Sequence, residues 1–430
     1  MQAKSVGIVI CNYNKSAYVI QCIQSVLESK FTDYALYVVD NASTDDSVEL
    51  IQKNYAGQLT LLQNEENLGG SGGFNRGLRE ALKNGHSYLV CLDNDVIVDE
   101  NAIGELKKFL DTHEETGMVG SKVYHMELPG IIQQYGMTID FENYATQAKY
   151  YNEPDHEGIP DVVYSDAVAA CSLMVRREVV EKIGLMPEEN FLYWDDTEWG
   201  WRCNLAGYRV ASCGSSVVLH AMGAKKEVVN TFPTYYAWRN WIWFFLKYTP
   251  QEKLEQMSRS FLSSLFEIYY EGWYKNETSR MKTVRIAYQD AMNARLGKAG
   301  EDAIFPVDRR EERLKALIHG KKKIFIEVNG YEITAQEIKK QIQQLSPETE
   351  VVLRYCRDYD LTFMLCSSIF HLDGYSRRDI YVDMNGCILE TPEEFDRIEA
   401  FPRELEKFLF VEQPYFIRQA KMIQKKHFAQ

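Results

Sequence analysis

Through its first hundred residues the chain alternates short β-rich runs with segments of helical periodicity. That alternation restricts it to an α/β fold built on a parallel sheet. Val6 to Cys11, Leu36 to Val39, Leu59 to Leu62 and Tyr88 to Leu92 read as buried strands. Between them, Ser16 to Lys30 carries Val19, Cys22, Ile23, Val26 and Leu27 at helical spacing. A second helix is predicted over roughly 45–54, with Ser43 or Thr44 as its cap. A third opens on the glycine-rich run Asn67 to Gly77 and continues through Leu82. The strands close in polar loops: Asn12-Tyr13-Asn14, Asp40 to Ser43, and Asp93-Asn94-Asp95. Ligands of open α/β sheets bind outside the carboxyl ends of the strands, so these loops are the candidate site. Asp93 and Asp95 suit a hard divalent cation, Mg²⁺ or Mn²⁺, and equally suit a plain turn. The glycine-rich segment reads either as a flexible turn or as exposed backbone N–H groups able to approach an anion. No GK[ST] follows it, and no GxGxxG follows the first strand, so neither nucleotide motif applies.

A chain of 430 residues exceeds one ordinary core, so two or more domains are expected. A net charge of −14 argues against nucleic acid as a partner, because nonspecific phosphate binding needs a basic surface. The nine cysteines form no CxxC pair and several lie in apolar runs, which predicts reduced core thiols and a cytosolic compartment. Met1-Gln2-Ala3-Lys4 leads straight into a strand, so no signal peptide is expected. No 18-residue apolar stretch predicts a transmembrane helix.

Further along, Val119 to Val123 reads as a strand, and residues 125–160 as a hairpin or flexible insertion. Ser165 to Arg176 is a small-residue turn into a strand. Asn190 to Arg202 sets three acids, Asp195, Asp196 and Glu198, among aromatic residues. Burial raises a carboxyl pKa and a nearby cation lowers it. Glu198 and Arg202 stand at i, i+4, which by itself describes a surface ion pair. Val217 to His220 is a strand ending in a histidine, either an ordinary satisfied side chain or a metal ligand. Thr231 to Tyr248 is strongly aromatic and reads as a helix, either packed in a core or lying at a membrane interface. Residues 251–319 look helical and include the charged run Arg309 to Arg313. Residues 320–430 read as a small α/β unit with strands at Ile324–Val328, Val351–Tyr355 and Asp379–Asp383 and a helix at Ala335–Leu345. Lys421, Lys425 and Lys426 make the last helix basic, as a solvated terminus or a contact for anionic lipid.

Taken together, Val9 to Asn14, Val38 to Asp45, Asn67 to Gly70, Asn75-Arg76-Gly77 and Leu92 to Asp95 resemble the family 2 glycosyltransferases of the GT-A fold. The resemblance covers roughly residues 5–250. It implies a GT-A nucleotide-sugar-binding domain over 1–250, with a mostly parallel sheet. A helical segment over 251–319 and an accessory α/β domain of unknown role over 320–430 would follow. It implies a nucleotide-diphosphate-sugar donor, a glycan or lipid-linked acceptor, and inversion at the anomeric carbon. A divalent ion would be held by Asp93 and Asp95, with His220 as third ligand. Asp40, Asn12 and Tyr13 would contact the base, while Asn67, Gly69, Gly70, Arg76, Asp93 and Asn94 would lie near the nucleotide and diphosphate. Asp196 would be the base that deprotonates the acceptor, with Asp195 the second candidate. Asp195 and Glu198 would orient acceptor hydroxyls or support the loop. Tyr235-Tyr236 followed by Arg239-Asn240 resembles rhamnosyl- and galactofuranosyltransferase-like members, and the Gly69 to Phe74 run with Trp194-Asp195-Asp196 and His220 most resembles galactofuranosyl-transferring ones, so UDP-galactofuranose and then dTDP-rhamnose are the expected donors. The expected setting is the cytoplasm, with peripheral contact at the inner face of the membrane as an option. Two other classes share features: a nucleotidyltransferase, which normally shows a basic glycine-rich loop after strand one, and a nucleotide-sugar- or glycan-binding protein without catalysis.

Overall fold

The computed structural model describes residues 4–221, 230–275, 278–307, 311–372, 374–384 and 386–428. Met1 to Ala3, Arg309 and Arg310, named above, lie outside the described residues. The chain divides into two compact units. The first comprises Met1–Ser260, Lys282–Phe305 and Ile417–Gln430, and the second Phe261–Met281 and Pro306–Phe416. The helical stretch expected over 251–319 is therefore shared between them.

In the first unit the elements run β1 (Val6–Asn12), α1 (Ser16–Leu27), β2 (Tyr34–Asp40), α2 (Ser47–Tyr55), β3 (Thr60–Gln63), α3 (Gly69–Lys83), β4 (Tyr88–Asp93), β5 (Val96–Val98) and α4 (Ala102–Thr112). They continue as β6 (Thr116–His125), β7 (Leu128–Gln134), β8 (Met137–Asp140), β9 (Ala145–Ala148), β10 (Val162–Ser165), β11 (Ser172–Arg176), α5 (Arg177–Ile183), α6 (Asp195–Leu205), β12 (Arg209–His220) and α7 (Phe232–Tyr248). Helices α8 (Leu254–Lys275) and α9 (Thr278–Met292) follow, each with residues in both units. The main sheet has the order β10-β12-β6-β11-β4-β1-β2-β3, with β5 on β12 and β7 on β6. Strands β3, β2, β1 and β4 are parallel, and β11 enters antiparallel beside β4. The chain order reverses between β1 and β4, the place where open α/β sheets bind ligands.

Alternation along β1 feeds two cores. Ile8 and Ile10 point to one face, where Val19, Cys22, Ile23 and Val26 of α1 meet them at i, i+3, i+4, i+7 spacing. Val9 points to the other, into a core that includes Leu78 of α3 and Trp199 of α6. Each such side chain, fully buried, stabilises the fold by about 1.5–3 kcal/mol. The glycine run is not a loop: it forms the first turns of α3 and is mostly buried. A Cβ on Gly77 would stand 2.3 Å from Val9 Cγ1 and 3.0 Å from Val39 Cγ2, so glycine lets this helix lie directly on the sheet.

Two further expectations change. Neither Ser43 nor Thr44 caps α2, which begins after Asp46. Ser43 Oγ instead accepts from Asn14 N (3.0 Å), and Thr44 N donates to Asn14 Oδ1 (2.7 Å), tying this loop to the end of β1. Residues 125–160 are not one hairpin: β7 extends the main sheet, and β8 and β9 form a separate two-stranded ribbon. The aromatic helix α7 has no exposed residue, and Tyr235, Tyr236, Ile242 and Trp243 through Leu246 are buried within the first unit. It is a core helix. No described helix is long and apolar enough to cross a membrane. No disulfide joins cysteines among the described residues.

The second unit contains α10 (Glu311–Ile318), β13 (Lys323–Glu327), α11 (Glu332–Leu345), β14 (Glu350–Val352), β15 (Leu361–Cys366), β16 (Ile380–Asp383), β17 (Ile388–Leu389) and most of α12 (Pro392–Ile423). Its sheet, β14-β13-β15-β16-β17, is parallel except for the last pair. Ile324, Ile326, Phe363 and Leu365 pack against Ala335, Ile338 and Ile342 of α11.

Candidate active site

The parallel register brings three polar loops to one edge, with Asn12 opposite Asp40 and Cys11 opposite Asp93. Asn12 is fully buried there. Its Nδ2 donates to Asp40 Oδ1 and to Ser43 Oγ, both at 3.2 Å, and its Oδ1 accepts from Asn94 Nδ2 at 2.7 Å. Asp40 Oδ2 accepts from Ser43 N at 3.0 Å. Asn12, Asp40 and Asn94 thus hold one another and the loop backbones. Asn41 does the same for the next loop: its Nδ2 donates to Asn67 Oδ1 (3.1 Å) and Gly69 O (2.9 Å), and its Oδ1 accepts from Leu68 N (3.0 Å). Tyr13 stands out at the end of β1, 44% exposed. Arg76 of α3 is partly exposed, and its side chain makes no hydrogen bond or ion pair among the described residues.

The metal-type residues converge. Asp93, Asp95 and His220 each offer a ligand atom, all within 4.8 Å of one another. The short strand β5 makes this happen: its pairing with β12 sets His220 opposite Val96, the residue after Asp95, and Ala221 N donates to Asp95 O at 3.1 Å. His220 Nε2 lies 3.3 Å from Asp95 Oδ1 and 3.7 Å from Asp93 Oδ2. Lys15 Nζ lies 2.6 Å from Asp95 Oδ2. Burial raises the Asp95 carboxyl, but the His220 and Lys15 partners outweigh it and hold it well below the ordinary range. Asp93 is pushed up to about 6 by burial, with His220 opposing and Asp95 adding to the rise. Burial disfavours the His220 imidazolium, yet Cys171, Asp95 and Asp93 carry its pKa up to about 11. Two carboxylates and an imidazole nitrogen aimed at one point are a fitting donor set for Mn²⁺ or Mg²⁺, with the nitrogen favouring Mn²⁺.

Helix α6 brings the second set of acids, and the backbone leading into it is strained. Phe191, Tyr193 and Trp194 all have positive φ, 62°, 64° and 65°. Leu192 N donates to Asn190 O at 2.7 Å across Phe191 (φ 62°, ψ −51°), which closes a tight three-residue turn of the unfavourable hand. Residues in such regions cost of order 1–3 kcal/mol each and persist only where their surroundings hold them. Arg239 and Asn240, fully buried on α7, do the holding. Asn240 Nδ2 reaches Asn190 O (2.8 Å), Leu192 O (2.7 Å) and Tyr193 O (3.0 Å). Arg239 Nη2 donates to Glu189 O (3.2 Å) and Asn190 O (2.9 Å). So fixed, Phe191 O accepts from Gly70 N at 2.7 Å. Gly69 (φ +76°) lies so close that a Cβ would stand 2.0 Å from that oxygen.

Asp195 lies beyond this turn, its Oδ2 3.7 Å from where a Gly70 Cβ would be. Burial first, then the neighbouring Asp196 charge, push its pKa up to about 8. Asp196 is also raised by burial, against the pull of hydrogen bonds from Ala170 N to Oδ2 (3.1 Å) and Thr197 N to Oδ1 (2.7 Å). Glu198 is not the surface partner of Arg202. It is fully buried, its Oε1 accepts from Lys247 Nζ (2.6 Å) and Tyr248 OH (3.2 Å), and Arg202 Nε stands 4.0 Å away. The reason is α7, which packs over this side of α6.

Sequence reasoning assigned no role to Lys15, Gln133, Arg239 or Asn240. Lys15 follows the first strand-end loop and carried a local hint, while Gln133 sits in the insertion, 87 residues from the histidine it touches.

The family model for glycosyl transferase family 2 matches residues 7–184. A galactofuranosyltransferase GlfT2 of Mycolicibacterium smegmatis is 22% identical over 259 residues, 55% of this chain and 40% of that protein. GlfT2 of Mycobacterium tuberculosis is 24% identical over 200 residues, 43% of this chain and 31% of that one. The chain thus matches less than half the length of these relatives. Among solved structures, GalNAc-T7 with UDP, GalNAc and Mn²⁺ aligns over 61% of this chain and 51% of its own, with TM-score 0.47 and 14% identity. The motifs at the carboxyl ends of β1, β2 and β4 fall within residues 7–184, the stretch that matches the glycosyl transferase family 2 model.

Proposed function

We propose that the chain is an inverting, metal-dependent glycosyltransferase that moves a sugar from a nucleotide-diphosphate-sugar to a glycan or lipid-linked acceptor. One observation carries this reading: Asp93 and Asp95, within the stretch that matches the family 2 model, converge with His220 at the carboxyl edge of the sheet, and the acidic pair Asp195 and Asp196 follows that stretch. A divalent cation, Mn²⁺ or Mg²⁺, held by Asp93, Asp95 and His220 would supply charge neutralisation for the diphosphate leaving group.

The chain's own residues do the rest. Asp196 takes the acceptor proton, its two oxygens oriented by Ala170 N and Thr197 N, which favour the ionised form. Asp195, with its raised pKa, keeps its proton at neutral pH and can donate a hydrogen bond to a sugar oxygen. Glu198 supports the loop through Lys247 and Tyr248. Arg76 is available to phosphate oxygens. Asp40 and the Asn12–Tyr13 backbone take the base, Tyr13 offering an exposed ring. The acceptor hydroxyl attacks opposite the leaving group in one displacement, so no covalent intermediate is needed. The likeness to the two galactofuranosyltransferases supports UDP-galactofuranose as first donor, with dTDP-rhamnose second. Thiols in place of disulfides support a cytoplasmic setting, and the second unit is assigned to acceptor or partner contacts.

The test is Asp196→Asn. Transfer falls at least about a hundredfold while nucleotide binding is kept. Full transfer by this variant would remove Asp196 as the base.

A further inference from the structure

We infer that Gln133 is the positioning residue that makes His220 a metal ligand through Nε2, so that the insertion strand β7 controls the metal affinity of the site. The inference rests on the proposed metal-dependent reading of the Asp93, Asp95 and His220 cluster. Gln133 is buried, and its amide lies between two histidines. Its Oε1 stands 2.6 Å from His220 Nδ1. Its Nε2 stands 3.2 Å from the His220 carbonyl oxygen and 3.3 Å from His125 Nδ1.

The direction of these bonds is forced. A carbonyl oxygen only accepts, so the amide end facing His220 O must be the NH₂ group. The other end is then the amide oxygen, and it can only accept a proton from His220 Nδ1. The second amide hydrogen goes to His125 Nδ1, which leaves His125 Nε2–H to donate to Asn152 Oδ1 at 2.9 Å. Each hydrogen in this run of bonds is used once, in one direction. Neutral His220 must therefore carry its proton on Nδ1 and present the Nε2 lone pair, the atom aimed at Asp93 and Asp95. Partners that fix the tautomer and ring orientation of a metal-bound histidine typically change affinity 10–100-fold when removed.

The experiment measures Mn²⁺ binding to the full chain without nucleotide, by the electron paramagnetic resonance signal of free Mn²⁺. Gln133→Met keeps length but removes the acceptor, and its dissociation constant should rise about 10–100-fold. Gln133→Leu removes the acceptor with a different shape and should show the same loss, whereas Gln133→Glu keeps an acceptor for Nδ1–H but sets its second oxygen against the His220 carbonyl oxygen and should fall between these variants and wild type. Metal-free melting temperatures and far-UV spectra establish that each variant is folded. Wild-type affinity in folded Gln133→Met overturns the inference. So does wild-type affinity in folded Gln133→Leu, which decides the matter if the methionine variant does not fold. If His220→Ala binds Mn²⁺ as well as wild type, the reading of the cluster itself fails, and the inference with it.

Discussion

Replacing Asn240 by alanine removes three hydrogen bonds to the backbone of the strained turn before α6. The consequence can be worked from the geometry. Asn190 O keeps a donor in Arg239 Nη2, so two carbonyls, Leu192 O and Tyr193 O, lose the amide donor. A buried carbonyl left without its partner costs about 1–3 kcal/mol, giving roughly 2–6 kcal/mol in all. The turn also stores strain at three positive-φ residues, and relaxing one would return about 1–3 kcal/mol. The net destabilisation is therefore about 1–3 kcal/mol. Relaxation would also move Phe191 O away from Gly70 N, so the start of α3 loosens along with the turn. Six of the seven tryptophans lie in the first unit, so urea unfolding followed by tryptophan fluorescence reports on the affected unit. An Asn240→Ala protein within about 0.5 kcal/mol of wild type would refute the reasoning, because surface-like substitutions behave that way.

Two further predictions concern stability. Gly77→Ala on α3 meets Val9 Cγ1 at 2.3 Å, whereas Gly104→Ala on α4 meets only Phe31 Cβ at 3.6 Å. The first should destabilise by about 1–2 kcal/mol and the second stabilise by about 0.5–1 kcal/mol, so urea midpoints moving in the same direction would contradict the packing account. Asp155 is held below the ordinary carboxyl range: burial raises it, but hydrogen bonds from Tyr124 and Lys122 and the Lys122 charge prevail. A lowered folded-state pKa gives stability that is present above the unfolded value of about 4 and is lost as pH falls through the folded value. Asp155→Asn should thus cost about 1–3 kcal/mol at pH 7 and progressively less toward pH 3. An undiminished difference at pH 3 in urea unfolding would show that the cost is not electrostatic.

How much of this was legible in the sequence depends on whether a feature is local. The end of β4 was readable, because an apolar run closing in Asp93-Asn94-Asp95 is a pattern within nine residues. The convergence of His220 on those acids was read only through the family resemblance, since it depends on a three-residue strand, β5, too short to leave a periodic signal. The glycine run reads as a loop by propensity, since glycine in a helix costs about 1 kcal/mol per residue relative to alanine. Contact with the sheet overrides that preference, as Gly77 against Val9 illustrates. Glu198 and Arg202 looked like a surface pair because i, i+4 spacing says nothing of what packs over a helix. Arg239 and Asn240 could be quoted as a motif, but their role depends on carbonyls about fifty residues earlier. In the second unit α12 was not expected as one helix, because Pro402 and Pro414 lie inside it and proline ordinarily marks a helix end.

The account stands most directly on whether the edge of the sheet binds a nucleotide through a metal. The decisive measurement is a thermal-shift panel with UDP, TDP, GDP and CDP, each in Mn²⁺ and in EDTA. A ligand at a hundred times its dissociation constant adds about 2.7 kcal/mol to the folded state, a rise of several degrees. The account predicts that rise with UDP or TDP in Mn²⁺, its loss in EDTA, and its loss in His220→Ala. Equal shifts with and without chelator would contradict the metal's role, and no shift with any nucleotide would contradict the donor site itself.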